Sequence, residues 1–276
     1  FNQMVQPAVS WMSTDWQLKK MSAFLGVGQL EEARKAFAQI PSDVPEREDG
    51  YRQLALGYAK VKMWPQVRST VEEMRQKFPA GKLTPKAWVD AGYAARDAKN
   101  KIEETYFLRT ALIHFPKAVE VAGAQFELAW LEHESKNYAK ASEMLIEHLA
   151  LYAAKDTTNR GKAGYWAARN SELAGKIDDA CIFYDAVIYR YNANWYGYIA
   201  QQRLMSLKSR GRCGGVDGRG ISQLPTSHSP VANAATNLKT VTVAPETSGP
   251  RELERAEKSE QLSTIGLFDW DRTEPE

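Results

Sequence analysis

Any chemistry in a chain of 276 residues has to begin from side chains that can ligate, ionise or attack, and this sequence holds few of them at useful spacing. Of the histidines His114, His133, His148 and His228, no two stand at i and i+4, and no HExxH string occurs. Neither Cys181 nor Cys213 has another cysteine at ligand spacing, so no metal site and no cofactor are expected. The histidines read as surface or partly packed imidazoles. Two cysteines are too few for a disulfide framework or a multi-cysteine zinc module, and they leave the redox compartment open. The run Gly214-Gly215-Val216-Asp217-Gly218-Arg219-Gly220 has the glycine content of a phosphate-cradling loop. It follows no strand pattern and lacks the Gly-Lys-Ser/Thr ending, so no nucleotide is assigned to it. Lys208, Arg210, Arg212 and Arg219 form a basic run that reads as a solvated linker edge, with contact to an acidic partner as the alternative. Trp166, Trp195, Tyr196 and Tyr198 have flat apolar faces that could stack on sugar rings. Trp166 shares one helix stripe with Arg169 and Leu173, which favours a core position for it.

Composition says what kind of scaffold must hold these groups. Hydrophobic residues make up 43%, enough for a substantial core, and the net charge of +2 gives no reason to invoke nucleic acid or an anionic membrane. No run of about 18 apolar residues exists, so no membrane span is expected. Residues 1–208 hold nearly all the aromatics and read as one domain. Residues 209–250 contain no Phe, Trp or Tyr and are rich in Gly, Pro, Ser and Thr, which is the composition of a flexible, disordered linker. Residues 251–276 recover a helical stripe through Leu253, Ala256, Leu262, Ile265 and Leu267, and read as a short helical connector. The chain opens on Phe and closes on Glu276, and is read as a fragment.

Within the first part, repetition dominates. Pro41, Pro79 and Pro116 each follow an apolar residue that ends a helical stripe. Turn-like starts recur at Gly28, Asn100, Asn137 and Gly175. The apolar steps are three and four: Leu30, Ala33, Phe37, Ile40; Val67, Val71, Met74, Phe78; Ile177, Ala180, Tyr184, Val187, Tyr191. Five helical hairpins are predicted, at about 13–40, 46–78, 84–115, 119–152 and 158–191, with a single helix at about 194–208. Small residues at Ala33, Ala141 and Ala180 let paired helices approach closely. A hairpin of this size cannot bury its own apolar face, so the expected fold is all-α, a right-handed superhelical solenoid of tetratricopeptide-like hairpins.

The last hairpin and the helix after it carry a more specific pattern. Ala163-Gly164-Tyr165-Trp166-Ala167-Ala168-Arg169 is followed by Glu172, Gly175, Ala180, Tyr184 and Tyr191, and then by Trp195-Tyr196-Gly197, Ala200, Arg203 and Leu204. This resembles the end of the α-superhelical region of soluble lytic transglycosylases. Gly266-Leu267-Phe268-Asp269-Trp270 looks like the segment that joins that superhelix to a catalytic domain. The resemblance implies a periplasmic or cell-envelope protein whose parent cuts peptidoglycan glycan strands between N-acetylmuramic acid and N-acetylglucosamine. In that family a glutamate in a Glu-Ser motif of a downstream lysozyme-like domain does the cutting. On this view the chain is the non-catalytic scaffold, with no catalytic residue of its own. Tyr165, Trp166, Arg169, Gly175, Ala180, Tyr184, Tyr196, Gly197 and Arg203 are its mainly structural signature, and Trp195 and Tyr196 are the candidates for glycan contact. The one Glu-Ser pair, Glu134-Ser135, falls at a hairpin turn and reads as solvated. The alternative is a tetratricopeptide-like adaptor that holds a protein segment in a concave groove and has no enzymatic parent.

Overall fold

The computed structural model describes residues 2–156, 159–191, 195–214 and 230–241, with side chains from residue 14 onward. The chain divides into a unit Phe1–Val241 and a second, Thr242–Glu276. The second unit lies outside the described residues, and with it the connector expected at 251–276. Among the described residues there are twelve helices and no strand: α1 (Asn2–Gly26), α2 (Leu30–Ala38), α3 (Pro45–Lys60), α4 (Trp64–Lys77), α5 (Thr84–Asp97), α6 (Lys101–His114), α7 (Val121–Glu134), α8 (Tyr138–Tyr152), α9 (Arg160–Leu173), α10 (Ile177–Tyr191), α11 (Trp195–Ser209) and α12 (Pro230–Thr240). Consecutive helices from α1 to α11 pack on one another, the order of a helical solenoid. The five expected hairpins are the pairs α1/α2 to α9/α10, and α1 extends back to Asn2.

A repeated local device closes every hairpin. The middle residue of each three-residue turn has a positive φ: Gly28 78°, Lys62 62°, Lys99 57°, Lys136 62° and Gly175 78°. The next residue then donates its N–H back into the helix it has just left. Gln29 N reaches Phe24 O at 2.8 Å, Met63 N reaches Tyr58 O at 3.0 Å, Asn100 N reaches Ala95 O at 2.9 Å, Asn137 N reaches Glu132 O at 2.8 Å, and Lys176 N reaches Ser171 O at 2.9 Å. This is the Schellman closure, which satisfies carbonyls that a helix end otherwise leaves bare. The same device recurs after α11, where Gly211 has φ 71° and Arg212 N reaches Leu207 O at 3.0 Å. The chain therefore turns as if into a sixth hairpin.

Five residues after each left-handed turn stands a fully or almost fully buried position, where the second helix meets the first. Ala33, Val67, Ala141 and Ala180 are each 0% exposed there. In α6 the same position holds Glu104. Neighbouring hairpins are tied by side chains about one repeat apart. Glu48 of α3 accepts from the N–H groups of Leu83 and Thr84 at 2.7 and 2.9 Å, capping α5 from outside its own hairpin. Arg68 forks onto Glu103 at 2.8 and 2.9 Å, and Arg96 reaches Glu127 at 2.8 Å. Ser142 and Ser171 meet at 2.6 Å in the buried seam between α8 and α9.

Beyond residue 208 the structure adds one pairing and corrects one expectation. Cys181 of α10 and Cys213 form a disulfide with Cα atoms 5.6 Å apart, so the two cysteines pair with each other. The turn at Gly211 brings the chain back alongside α10, and Cys213 itself takes φ 59°. Secondly, the stretch 209–250 is not linker throughout. Pro230–Thr240 is a helix whose Ala232, Ala234, Ala235 and Leu238 are buried, and it packs chiefly against α8 and α10 and also touches α9. Aromatic content underestimated this segment because a groove made by other helices supplies the large apolar surface. Residues 215–229 and 242–250 lie outside the described residues.

These turns and the bridge give measurable consequences. Gly175→Ala puts a Cβ at φ 78° and should cost about 1–2 kcal/mol in urea unfolding, whereas Lys136→Gly should gain about 0.5–1 kcal/mol. Opposite signs at the two sites are the result that checks the assignment. Cys213→Ser removes a loop closure across 32 residues and should lower stability by about 2–4 kcal/mol; the parent treated with reductant should match it.

Candidate functional site

The signature positions converge on one carboxylate. Glu172, in the last turn of α9, accepts the phenol of Tyr184 (α10) at 2.7 Å and the guanidinium of Arg203 (α11), whose Nε stands at 3.2 Å. Arg203 Nη2 closes on the other carboxylate oxygen, and Arg169, one turn earlier in α9, reaches Glu172 at 3.0 Å. Three consecutive helices thus meet on a side chain only 9% exposed. Burial works against ionisation of Glu172, but the hydrogen bonds from Arg203 and Tyr184 and the charges of Arg169 and Arg203 outweigh it. Its pKa falls below the ordinary carboxylate value. Burial and donation to Glu172 push the Tyr184 phenol up. A carboxylate held ionised with its oxygens occupied is a joint rather than an acid, since a general acid needs a raised pKa and a free proton.

The other signature residues surround this joint. Tyr165 is 8% exposed, and its ring lies 6.0 Å from that of Tyr184 and 5.9 Å from that of Tyr196. Trp166 lies edge-on to Tyr165 at 5.3 Å and also to Trp130 at 4.8 Å and to His133 at 4.8 Å. Gly175 is the left-handed turn of the last hairpin, Ala180 is wholly buried, and Gly197 is buried in α11. The two glycan candidates part company. Trp195 is 46% exposed and faces Tyr198, itself 54% exposed, at 6.0 Å and 30° between ring planes. Tyr196 turns inward to Tyr165. Tyr198, also among the aromatics that could stack on sugar rings, shares the open face of α11 with Trp195. The alternating exposure could be found in the sequence, since residues 195 and 198 are one helical turn apart.

Elsewhere, Glu134 ends α7, is exposed and pairs with Lys101 at 2.7 Å, a solvated turn. His114 is exposed, and His133 stacks on Trp130 at 4.7 Å while its Nδ1 meets Asn170 Oδ1 at 2.8 Å. His148 departs from the expected surface or partly packed imidazole. It is 0% exposed, with Nε2 3.5 Å from Asp156, and burial lowers its pKa against the pull of that carboxylate. His228 and Arg219 lie outside the described residues. Among the described residues no cluster of three or more His, Cys, Asp or Glu could hold a metal ion, and no helix is long and apolar enough to cross a membrane. A half-open pocket between α6 and α7, lined by Lys101, Thr105, Arg109, Leu131, Glu132 and Ser135 among others, has a volume of about 170 Å³. That is smaller than the roughly 300 Å³ at which small-molecule sites begin.

Like Asp179 of α10, whose pKa burial also raises, Glu104 has the environment of an acid. Glu104 is 3% exposed; burial, and then the charge of Glu127, raise its pKa above the ordinary value. It occupies the position that is Ala or Val in the other hairpins, so its raised pKa follows from carrying a carboxyl where the repeat buries an apolar side chain. Nothing in the apolar pattern of α6 marks it; the comparison with Ala33, Ala141 and Ala180 does.

No protein-family model and no curated protein matches the chain.

The two carboxyls predict opposite pH behaviour. Glu172, depressed in the fold, contributes stability that is complete above the unfolded carboxyl pKa of about 4.3 and is lost as pH falls through the lower folded value. Glu104, raised in the fold, contributes stability below about 4.3 that is lost as pH rises through its higher folded value. Glu172→Gln should cost about 2 kcal/mol at neutral pH and flatten the acid limb of the stability curve. Glu104→Gln should gain on its parent as pH rises. Urea midpoints measured across the acid-to-neutral range check both signs.

Proposed function

We propose that this chain is the superhelical, non-catalytic scaffold of a soluble lytic transglycosylase, a right-handed array of tetratricopeptide-like hairpins that positions peptidoglycan glycan strands for a lysozyme-like domain elsewhere in the parent. The observation that carries the reading is the joint at Glu172. The residues that carry the family resemblance, Tyr165, Arg169, Glu172, Tyr184, Tyr196 and Arg203, are not scattered through three helices but form one connected polar and aromatic cluster. A shared spacing with a shared physical purpose is better support than spacing alone. The Cys181–Cys213 disulfide supports a periplasmic or cell-envelope location, where such a bond persists. On this reading the exposed Trp195 and Tyr198 on α11 are the sugar-stacking faces. One observation favours the adaptor reading instead: α12 shows that the array accepts a helix on its side.

Sedimentation with purified cell-wall sacculi distinguishes the two. The chain should co-sediment, Trp195→Ala/Tyr198→Ala should retain less than about a third as much, a loss of the order expected for one stacked ring, and mass spectrometry of the supernatant should show no 1,6-anhydro products. Binding that is absent, or unchanged in the double variant, removes the glycan reading of α11. Release of 1,6-anhydro products would refute the scaffold assignment, because the chain would then hold its own acid.

A further inference from the structure

α12 occupies a place that the repeat does not provide for. After the left-handed turn at Gly211, a regular sixth hairpin would send its second helix back along α10 and α11. Instead the chain is fastened to α10 through Cys213, and the next described helix, α12, lies against α8, α9 and α10. α8 and α10 are the second helices of adjacent hairpins, and each packs chiefly on α9. Between them is a groove whose floor is α9. At Gly164 that floor has no side chain: a Cβ there would stand 2.6 Å from Leu238 Cδ2 and 2.8 Å from Val187. Leu238 fills the space, and it is 0% exposed.

The apolar contribution of α12 is small, mostly the methyl groups of Ala232, Ala234 and Ala235, and its sequence of 11 residues includes Val, Asn and Thr. So short a helix is marginal alone in water, and it is the groove that keeps it helical. Polar contacts set its register. Asn237 Nδ2 donates to Ala150 O, a carbonyl in the last turn of α8, at 3.0 Å. Lys239 Nζ meets Asp185 Oδ2 of α10 at 2.8 Å, with side chains 10% and 1% exposed, and lies 5.5 Å from the centre of the Tyr189 ring. The Lys239–Asp185 pair therefore ties one position of the helix to the groove wall, and a cation at that position complements the carboxylate.

We propose that the groove between α8 and α10 is a binding site for a short alanine-rich helix bearing one basic residue, and that α12 is its ligand in cis, docked reversibly rather than built into the array. The site is independent of the glycan reading. Any second helix of the same chemistry must displace α12 to enter.

The test uses the full chain and a labelled synthetic peptide of residues 230–241. In a Lys239→Glu chain, amide exchange across 232–238 should accelerate at least tenfold while the circular dichroism of the remaining helices is kept. The peptide, followed by fluorescence anisotropy, should bind that chain at least tenfold more tightly than it binds the parent. The charge-swapped chain, Asp185→Lys/Lys239→Asp, should regain slow exchange. Unchanged exchange in Lys239→Glu overturns the proposal. So does cooperative loss of the neighbouring helices, which would make α12 an integral element, and so does release of α12 without peptide binding. Failure of the swap to restore protection would show that the pair does not select the ligand, and counts against it equally.

Discussion

A single residue held in the left-handed region closes each hairpin, and the rest of the array follows from that constraint. With only three residues between helices, the chain can reverse only if the middle one abandons right-handed geometry, so that the N–H behind it turns back onto the helix end. Each reversal delivers the second helix against the first at a fixed distance, which is why the position five residues on must be small or aliphatic in four hairpins. That in turn leaves the outer apolar faces of each pair unburied, and the adjacent pair has to cover them. Three of the five turns accept a lysine in a conformation that favours glycine, so the tertiary packing overrides a local penalty at those sites.

Stacking alone would leave the array's far end weakly defined, since the last helix has one neighbour fewer. The polar joint at Glu172 answers this by binding α9, α10 and α11 through one ionised group, with Arg169 and Arg203 balancing the charge that burial would otherwise suppress. The disulfide fastens the far side of α11 to α10. Together they tie α9, α10 and α11 to one another, with Trp195 and Tyr198 exposed on α11.

Much of this was legible in the sequence, for identifiable reasons. Steps of three and four among apolar residues gave the helices, and glycine or asparagine at or next to the turn marked four of the five reversals. The turn at Lys62 carries neither signal, and only the period implies it. The Cys181–Cys213 pair was hidden because its partners become neighbours through the turn after α11. α12 was hidden for a different reason: composition measures whether a segment can fold on its own, and this one borrows its apolar surface from α8, α9 and α10. Glu104 was missed because a periodic pattern reports which positions are buried only when the residue type agrees. Tyr196 and Tyr198 differ in exposure because two residues so spaced on a helix fall on different faces.

The bridge between Cys181 and Cys213 has a mechanical consequence as well. A chain under tension transmits force along its covalent path, and here that path forks. Pulling on the chain just beyond residue 213 loads the sulfur bridge and enters α10 at Cys181, while residues 182–212, the rest of α10 with α11 and its closing turn, lie in a loop that this covalent path bypasses. Tension applied there therefore reaches the body of the array before it disturbs the helix that carries the exposed aromatic pair.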